Sequence, residues 1–217
     1  MTTTEKMVAL MRRLKIEMNG AVSDAMREYG GGQHGYGLNY GVSLPTIKDV
    51  AREYAPDHEL ALTLWKQDVR ELKLAALFID QPSAVTAAQM NKWAEEWRVP
   101  ELAEQCAMQL FWRSPDAWQI IMKWIALPTG EAPMKRLAAF YMLGKLATGG
   151  TVSDASLSEI LNNGKAFDRQ TKERSAAYAL RETYRHRPAL REQVMSVLNH
   201  VPAEVADEVR WQVEYLG

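Results

Sequence analysis

The residues that could do chemistry are few, and most familiar arrangements are missing. His34, His58, His186 and His200 have no mutual i,i+3 or i,i+4 spacing, and no His-Glu-x-x-His occurs. Gly-x-Ser-x-Gly is also absent, so no serine nucleophile elbow is expected. Cys106 is the only cysteine, which excludes disulfide frameworks and cysteine-cluster zinc sites; lying inside an apolar helical pattern, it reads as an inert core thiol. Neither a metal nor a cofactor is expected. The positive signal is charge. Between Lys165 and Arg191 stand Lys165, Arg169, Lys172, Arg174, Arg181, Arg185, Arg187 and Arg191 against Asp168, Glu173 and Glu182, whereas acids outnumber bases from Glu53 to Gln105. The formal net charge of -1 therefore hides an acidic middle and a basic C-terminal third. Arg174, Tyr178, Arg181 and Arg185 follow one helical stripe, and arginines interleaved with an aromatic can grip phosphates and offer a ring to a base or sugar. The same stripe is compatible with a solvated face paired to Glu173 and Glu182.

These side chains must be positioned by helices. Ala, Leu and Met outnumber Val, Ile and Thr, a balance that favours helix because β-branched side chains lose χ1 freedom there. Apolar residues recur at helical spacing, as in Ile120, Ile121, Trp124 and Ile125 and in Leu190, Val194, Val197 and Leu198, and no stretch alternates as a strand would. Pro45, Pro56, Pro82, Pro100, Pro115, Pro133, Pro188 and Pro202 each fall near a helix start, where a missing N–H costs least. Asp57, Ser83 and Ser153 are placed to cap. The spacing predicts helices over 4–17, 19–29, 45–55, 57–67, 69–80, 84–97, 100–112, 115–126, 133–147, 153–163, 169–186, 188–199 and 202–216.

A repeat overlies the helices. Lys73-Leu-Ala-Ala-Leu, Gln105-Cys-Ala-Met-Gln, Arg136-Leu-Ala-Ala-Phe and Arg174-Ser-Ala-Ala-Tyr share a register, with small residues where a neighbouring helix would approach closely. Helix pairs recurring at such intervals are the mark of an α-solenoid of HEAT or armadillo type; the alternative is a non-repetitive bundle in an Ala-rich chain. The expected fold is an all-α HEAT/armadillo-like α-solenoid of about six antiparallel helix pairs in one domain over 1–217, with N-terminal helices and a glycine-rich loop over 1–44 and repeats over 45–217. In a solenoid, repeat-equivalent side chains share a surface, so Lys73, Arg136 and Arg174 should form a cationic ladder on one wall, suited to an elongated polyanion such as duplex DNA. The glycine-rich segment 30–41 is either a flexible joint or a mobile loop whose His34, Tyr36, Asn39 and Tyr40 touch a ligand. No apolar run reaches the ~20 residues of a membrane span and no signal peptide is visible, so the expectation is a cytoplasmic protein without membrane contact.

Four segments resemble the DNA alkylation repair family of HEAT-like proteins, the bacterial alkylpurine DNA glycosylases. Asn39-Tyr-Gly-Val-Ser-Leu-Pro-Thr-Ile is similar to the family's Phe-Gly-Val-x-x-Pro entry to its repeats, and Leu60-Ala-Leu-Thr-Leu-Trp followed by Glu71-Leu-Lys-Leu-Ala-Ala-Leu to the next pair. Lys135-Arg-Leu-Ala-Ala-Phe resembles the segment bearing a catalytic-cleft arginine. The most specific match is Arg174-Ser-Ala-Ala-Tyr-Ala-Leu-Arg-Glu, which resembles the family signature Lys-Ala-x-x-Trp-x-Leu-Arg-Glu. The resemblance implies excision of cationic methylated purines by cleavage of the N-glycosidic bond. The base is already a good leaving group there, and the protein must chiefly stabilise an oxocarbenium-like sugar with a carboxylate and aromatic rings.

The family's Trp-Asp-x-x-Asp motif aligns with Pro100-Glu101-Leu102-Ala103-Glu104. Glu104 thus falls at the catalytic Asp, Pro100 at a Trp, and Tyr178 at the late Trp, while Arg136 is retained. Glu104 carries its carboxylate one methylene further out, where ~1 Å of misplacement can cost ~100-fold, and Trp97 is a nearby substitute for the lost ring. On the enzyme reading Glu104 stabilises the sugar cation, Arg136 holds a phosphate and Tyr178 packs against the deoxyribose. On the binding-only reading Lys73, Arg136, Arg174, Tyr178, Arg181 and Arg185 hold double-stranded DNA, bent or branched. A solenoid groove could instead serve a protein partner.

Overall fold

The computed structural model describes residues 1–29, 36–128, 130–149, 152–163, 166–167, 171 and 174–216. Among these residues the chain forms thirteen α-helices and no strand, only an isolated bridge between Leu38 and Val69. They are α1 Thr3–Ile16, α2 Gly20–Tyr29, α3 Leu44–Arg52, α4 His58–Trp65, α5 Arg70–Ile79, α6 Ala87–Ala94, α7 Pro100–Gln105, α8 Ala117–Ile125, α9 Pro133–Gly149, α10 Asp154–Leu161, α11 Arg174–His186, α12 Arg191–Val197 and α13 Ala203–Leu216. Asp57 and Ser153 cap as expected, accepting from the backbone N–H of Leu60 and Ser156. Ser83 does not: it lies in a 3-10 turn, and the helix starts later, where Thr86 accepts from the N–H of Gln89.

The expected single helix over 100–112 is three pieces. After α7 the backbone widens into a π turn, Cys106–Leu110, and then tightens into a 3-10 turn, Phe111–Arg113. Such widenings re-aim side chains and recur at functional sites.

The helices stack in two layers. In one, α3, α5, α7, α9, α11 and α13 follow one another side by side; in the other, α4, α8 and α12 back α5, α9 and α11. The alanine pairs Ala75–Ala76, Ala138–Ala139 and Ala176–Ala177 are all buried, and α9 and α11 make the most extensive helix contact in the chain. Small side chains let those backbones approach, which is the physical content of the repeat. Aromatics seal the spaces between pairs: Trp65 stacks on Trp93 at 3.9 Å with planes 1° apart, and Trp97 meets Trp124 edge-on at 5.7 Å.

The glycine-rich segment is partly outside the described residues: 30–35, with His34, lie outside them, and only 36–41 are described. Its end is tied down. The fully buried Glu71 carboxylate accepts from the N–H groups of Tyr40 and Val42 at 3.0 and 3.3 Å, and Tyr36 donates its hydroxyl to Glu101 at 2.7 Å. Gly41 has φ +70, and a Cβ there would stand 2.2 Å from the carbonyl of Asn19, so both conformation and space demand glycine. No described helix is long and apolar enough to cross a membrane.

Candidate nucleic-acid interface

Two carboxylates leave α7 one turn apart. Glu101 is locked: Arg70 donates to it through Nε at 2.9 Å and through a second guanidinium nitrogen at 2.5 Å, with Tyr36 completing the set. Burial opposes its charge, but the hydrogen bonds and charge of Arg70 outweigh that and hold the carboxyl below its usual range. Glu104 is half-buried and takes no hydrogen bond or ion pair among the described residues. Desolvation, then the neighbouring Glu101 charge, raises its carboxyl above the usual value.

Glu104 lies within electrostatic reach of a tyrosine on the neighbouring helix. Tyr141 of α9 is half-buried; burial raises its phenol first, then the charges of Glu104 and Glu208, while Arg174 and Arg181 oppose. All four charged groups therefore lie within electrostatic reach of one ring. Tyr178 of α11 packs beside it, with ring centroids 5.4 Å apart and planes at 53°. Its phenol is pushed up to about 12 by burial, then by Glu182, against the opposing charge of Arg181. Gly144 makes this possible, since a Cβ there would stand 2.4 Å from the Tyr178 ring.

Glu104, Tyr141 and Tyr178 follow one another at a constant interval of 37 residues and share the same half-exposed position on adjacent helices of one layer. This interval is the signal that could have found Tyr141. The alanine-based register pairs Arg136 with Arg174 and so Tyr178 with Phe140, which is fully buried. It is out by one residue, and one residue turns a side chain by about 100° around a helix.

The cationic ladder expected from that register is divided by the same rotation. Arg174 is exposed at the start of α11, with no ion pair among the described residues. Lys73 and Arg136 point inward. Lys73 is 6% exposed, donates to the carbonyl of Trp65 at 2.7 Å, pairs with Glu96 at 2.8 Å and lies 4.6 Å from the Trp65 ring centre. Arg136 is 0% exposed and donates to the carbonyls of Ile125 and Leu127 at 2.6 and 3.1 Å. Both cations thus satisfy carbonyls at the C-terminal end of the preceding helix, α4 or α8, where they also meet the negative end of its dipole. Their repeat equivalence is real, but they face the protein.

The rest of the arginine stripe lies at the site's edge. Arg181 sits 5.0 Å from the Tyr178 ring centre, donates to Glu182 at 2.8 Å and also donates to Gln212 of α13. Arg185 is half-buried and engaged. The expected substitute ring, Trp97, is 7% exposed and committed to the core against Phe111 and Trp124. Tyr141 instead supplies the second ring beside Glu104. No group of three or more His, Cys, Asp or Glu that could hold a metal exists among the described residues.

The arrangement can present a carboxylate and two aromatic faces to a cation while Arg174 reaches an anion from the rim. Comparisons agree with this geometry at the level of the fold. A solved structure described as "a new family of proteins related to the HEAT-like repeat DNA glycosylases with affinity for branched DNA structures" superposes with a TM-score of 0.75 at 17% sequence identity, covering 95% of this chain and 93% of that one. No curated protein matches the sequence. The model of the family described as DNA alkylation repair enzyme matches residues 10–201, from the first helix to the loop before α13. With stacked HEAT-like helix pairs carrying Glu104 and two tyrosines at one repeat interval, the chain belongs to the DNA alkylation repair enzyme family.

Proposed function

We propose that the protein binds DNA across the layer formed by α7, α9 and α11, with Arg174, Arg181 and Arg185 toward the phosphates. The observation that supports this most is the convergence of Glu104, Tyr141 and Tyr178 beside Arg174 and Arg181. Bent or branched DNA suits such a site better than a straight duplex. A face that mixes cations with Glu104, Glu182 and Glu208 repels a uniform run of phosphates, but accepts a locally opened strand whose sugars or bases meet the rings. The affinity of the structural neighbour for branched DNA points the same way.

A second reading, excision of cationic alkylated purines, is favoured by one observation. Glu104 has no hydrogen-bond or ion-pair partner among the described residues and lies within electrostatic reach of Tyr141, whose ring packs on Tyr178. Glu104 would stabilise the developing sugar cation, and the tyrosines would flank it. Arg136 belongs to the scaffold on this reading, since its guanidinium is committed to carbonyls.

One titration separates the classes. Labelled duplex and three-way-junction DNA are titrated at several salt concentrations, then methylated DNA is incubated with the protein and free base is measured. Binding that weakens steeply with salt and prefers the junction supports the proposal; absence of DNA affinity at low salt overturns it. Base release lost in Glu104→Gln with binding retained supports excision, and release unchanged in that variant removes Glu104 from the chemistry.

A further inference from the structure

A recess lies outside the site above, with neither tyrosine in its lining. Its volume is 550 Å³, within the ~300–1,000 Å³ range of small-molecule pockets, and its walls include Trp112, Arg113, Trp118, Leu146, Ser153 and Ser156. It is walled by the stretch between α7 and α8, the start of α8, Leu146 near the end of α9, and Val152 with the start of α10. Two indoles in one small recess are a large share of aromatic surface to leave at a protein's edge, and both are partly exposed.

The recess is continuous with the proposed DNA face. Trp112 follows Glu104 along the same run of chain, and Lys145, one turn beyond Tyr141 on α9, lies 5.0 Å from the Trp112 ring centre. The indole is held firmly. Its Nε1 donates to the carbonyl of Met108 at 3.2 Å, and Gly149 backs the ring so closely that a Cβ would stand 3.2 Å from it. One cation, Arg113, lines the recess. Arg113 donates to the carbonyl of Gln109 and has no carboxylate partner among the described residues. No lining residue is acidic, and the acids beside the lining in sequence have partners: Asp116 accepts from the N–H of Ala87 at 2.7 Å, and Asp154 pairs with Arg187 at 3.0 Å. Apolar and aromatic walls suit a flat, uncharged heterocycle, and Arg113 and Lys145 suit the phosphates attached to it; the hydroxyls of Ser153 and Ser156, 2.9 Å apart and hydrogen-bonded to each other, keep one further donor and spare lone pairs for its edge.

We propose that this recess receives an unpaired nucleobase from DNA lying along the α7–α9–α11 face, a proposal that rests on the DNA-binding reading. It supplies a physical reason for a preference for branched over fully paired DNA, because only an unpaired base can leave its stack at little cost.

The test uses the full chain and a three-way junction carrying 2-aminopurine at the unpaired branch position, beside a fully paired duplex carrying it internally. Binding by the native protein is expected to quench the junction probe and leave the duplex probe nearly unchanged. Trp118→Ala, which removes one wall, and Ser156→Phe, which fills the recess from the exposed side, are each expected to abolish the quenching and weaken junction binding roughly tenfold, while duplex affinity stays within about threefold. Thermal melting shows whether each variant is folded, and Ser156→Phe decides the matter if Trp118→Ala is not. Quenching unchanged in a folded Ser156→Phe protein overturns the pocket and leaves DNA binding standing. No binding of either DNA by the native protein removes both.

Discussion

Glu101 and Glu104 leave the same short helix one turn apart, and the protein drives their carboxyls in opposite directions. Glu101 is clamped by Arg70 and held low; Glu104 has no partner among the described residues and is raised by burial and then by Glu101 itself. Two like groups split by environment are a common way to build a site with one fixed charge and one reactive one. The split also tells which carboxylate serves the fold and which is free for something else.

The fold-serving carboxylate is testable through acid unfolding. A lowered folded-state pKa contributes stability above the unfolded value, near 4.5, which is lost as pH falls through the folded pKa. Glu101→Gln removes one of the two carboxylate charges beside the buried Arg70, leaving Glu71 as its charged partner with the Val42 carbonyl. The expected cost is about 2 kcal/mol at pH 7, shrinking as pH falls below 4.5 and reaching zero only beneath the lowered folded-state value, so the second measurement is made well into the acid range. Urea unfolding of both proteins at the two pH values measures it.

Glu104 has the reverse sign. With its folded pKa raised above 4.5, the native state binds the extra proton, so stability falls as pH rises through the window between the unfolded and folded values. Above that window the charged group is a net cost. Glu104→Gln is therefore expected to be more stable than the native protein at pH 7, by less than about 1 kcal/mol because solvent screens a half-exposed group. The difference should vanish below pH 4. A variant that is destabilised at pH 7 contradicts the assignment of Glu104 as an unpartnered carboxylate.

Arg174 and Arg136 stand at one register position in the alanine-based alignment but should fail in different ways. Arg174→Ala is expected to weaken DNA binding and lower the salt slope by about one, with melting unchanged. Arg136→Met removes a guanidinium that satisfies buried carbonyls, and is expected to cost about 3 kcal/mol of stability while leaving the salt slope of the folded protein unchanged. Matched salt titrations and melts separate the two.

Gly144 and Tyr178 should be energetically coupled. Gly144→Ala forces the Tyr178 ring aside and is expected to cost about 1–3 kcal/mol. In the Gly144→Ala, Tyr178→Ala double variant most of the Gly144 penalty should disappear, giving a coupling energy of about 1 kcal/mol or more by thermal melting. Simple additivity would mean the ring is not held against α9.

Much of this could be read along the chain. The helix starts follow proline and the caps Asp57 and Ser153, and the alanine pairs mark where α5, α9 and α11 are approached, because capping and close approach depend on residues near in sequence. Glu104 and Tyr178 were singled out through the family resemblance, and each lies near Tyr141, one by charge and one by ring packing. The π turn after α7, the engagement of Arg181 with Gln212, and the recess between Trp112 and Trp118 were not, since each depends on distant segments meeting.

Charge was the feature most easily misread. Sequence determined that Lys73, Arg136 and Arg174 recur in comparable helices, but only the packed structure decided that the first two turn inward to the carbonyl ends of α4 and α8 while Arg174 stays in solvent. The physical reason is angular. A shift of one residue leaves composition and approximate period untouched, yet rotates a side chain by about 100°, enough to exchange a core position for a surface one and to bring Tyr141 rather than Phe140 beside Glu104.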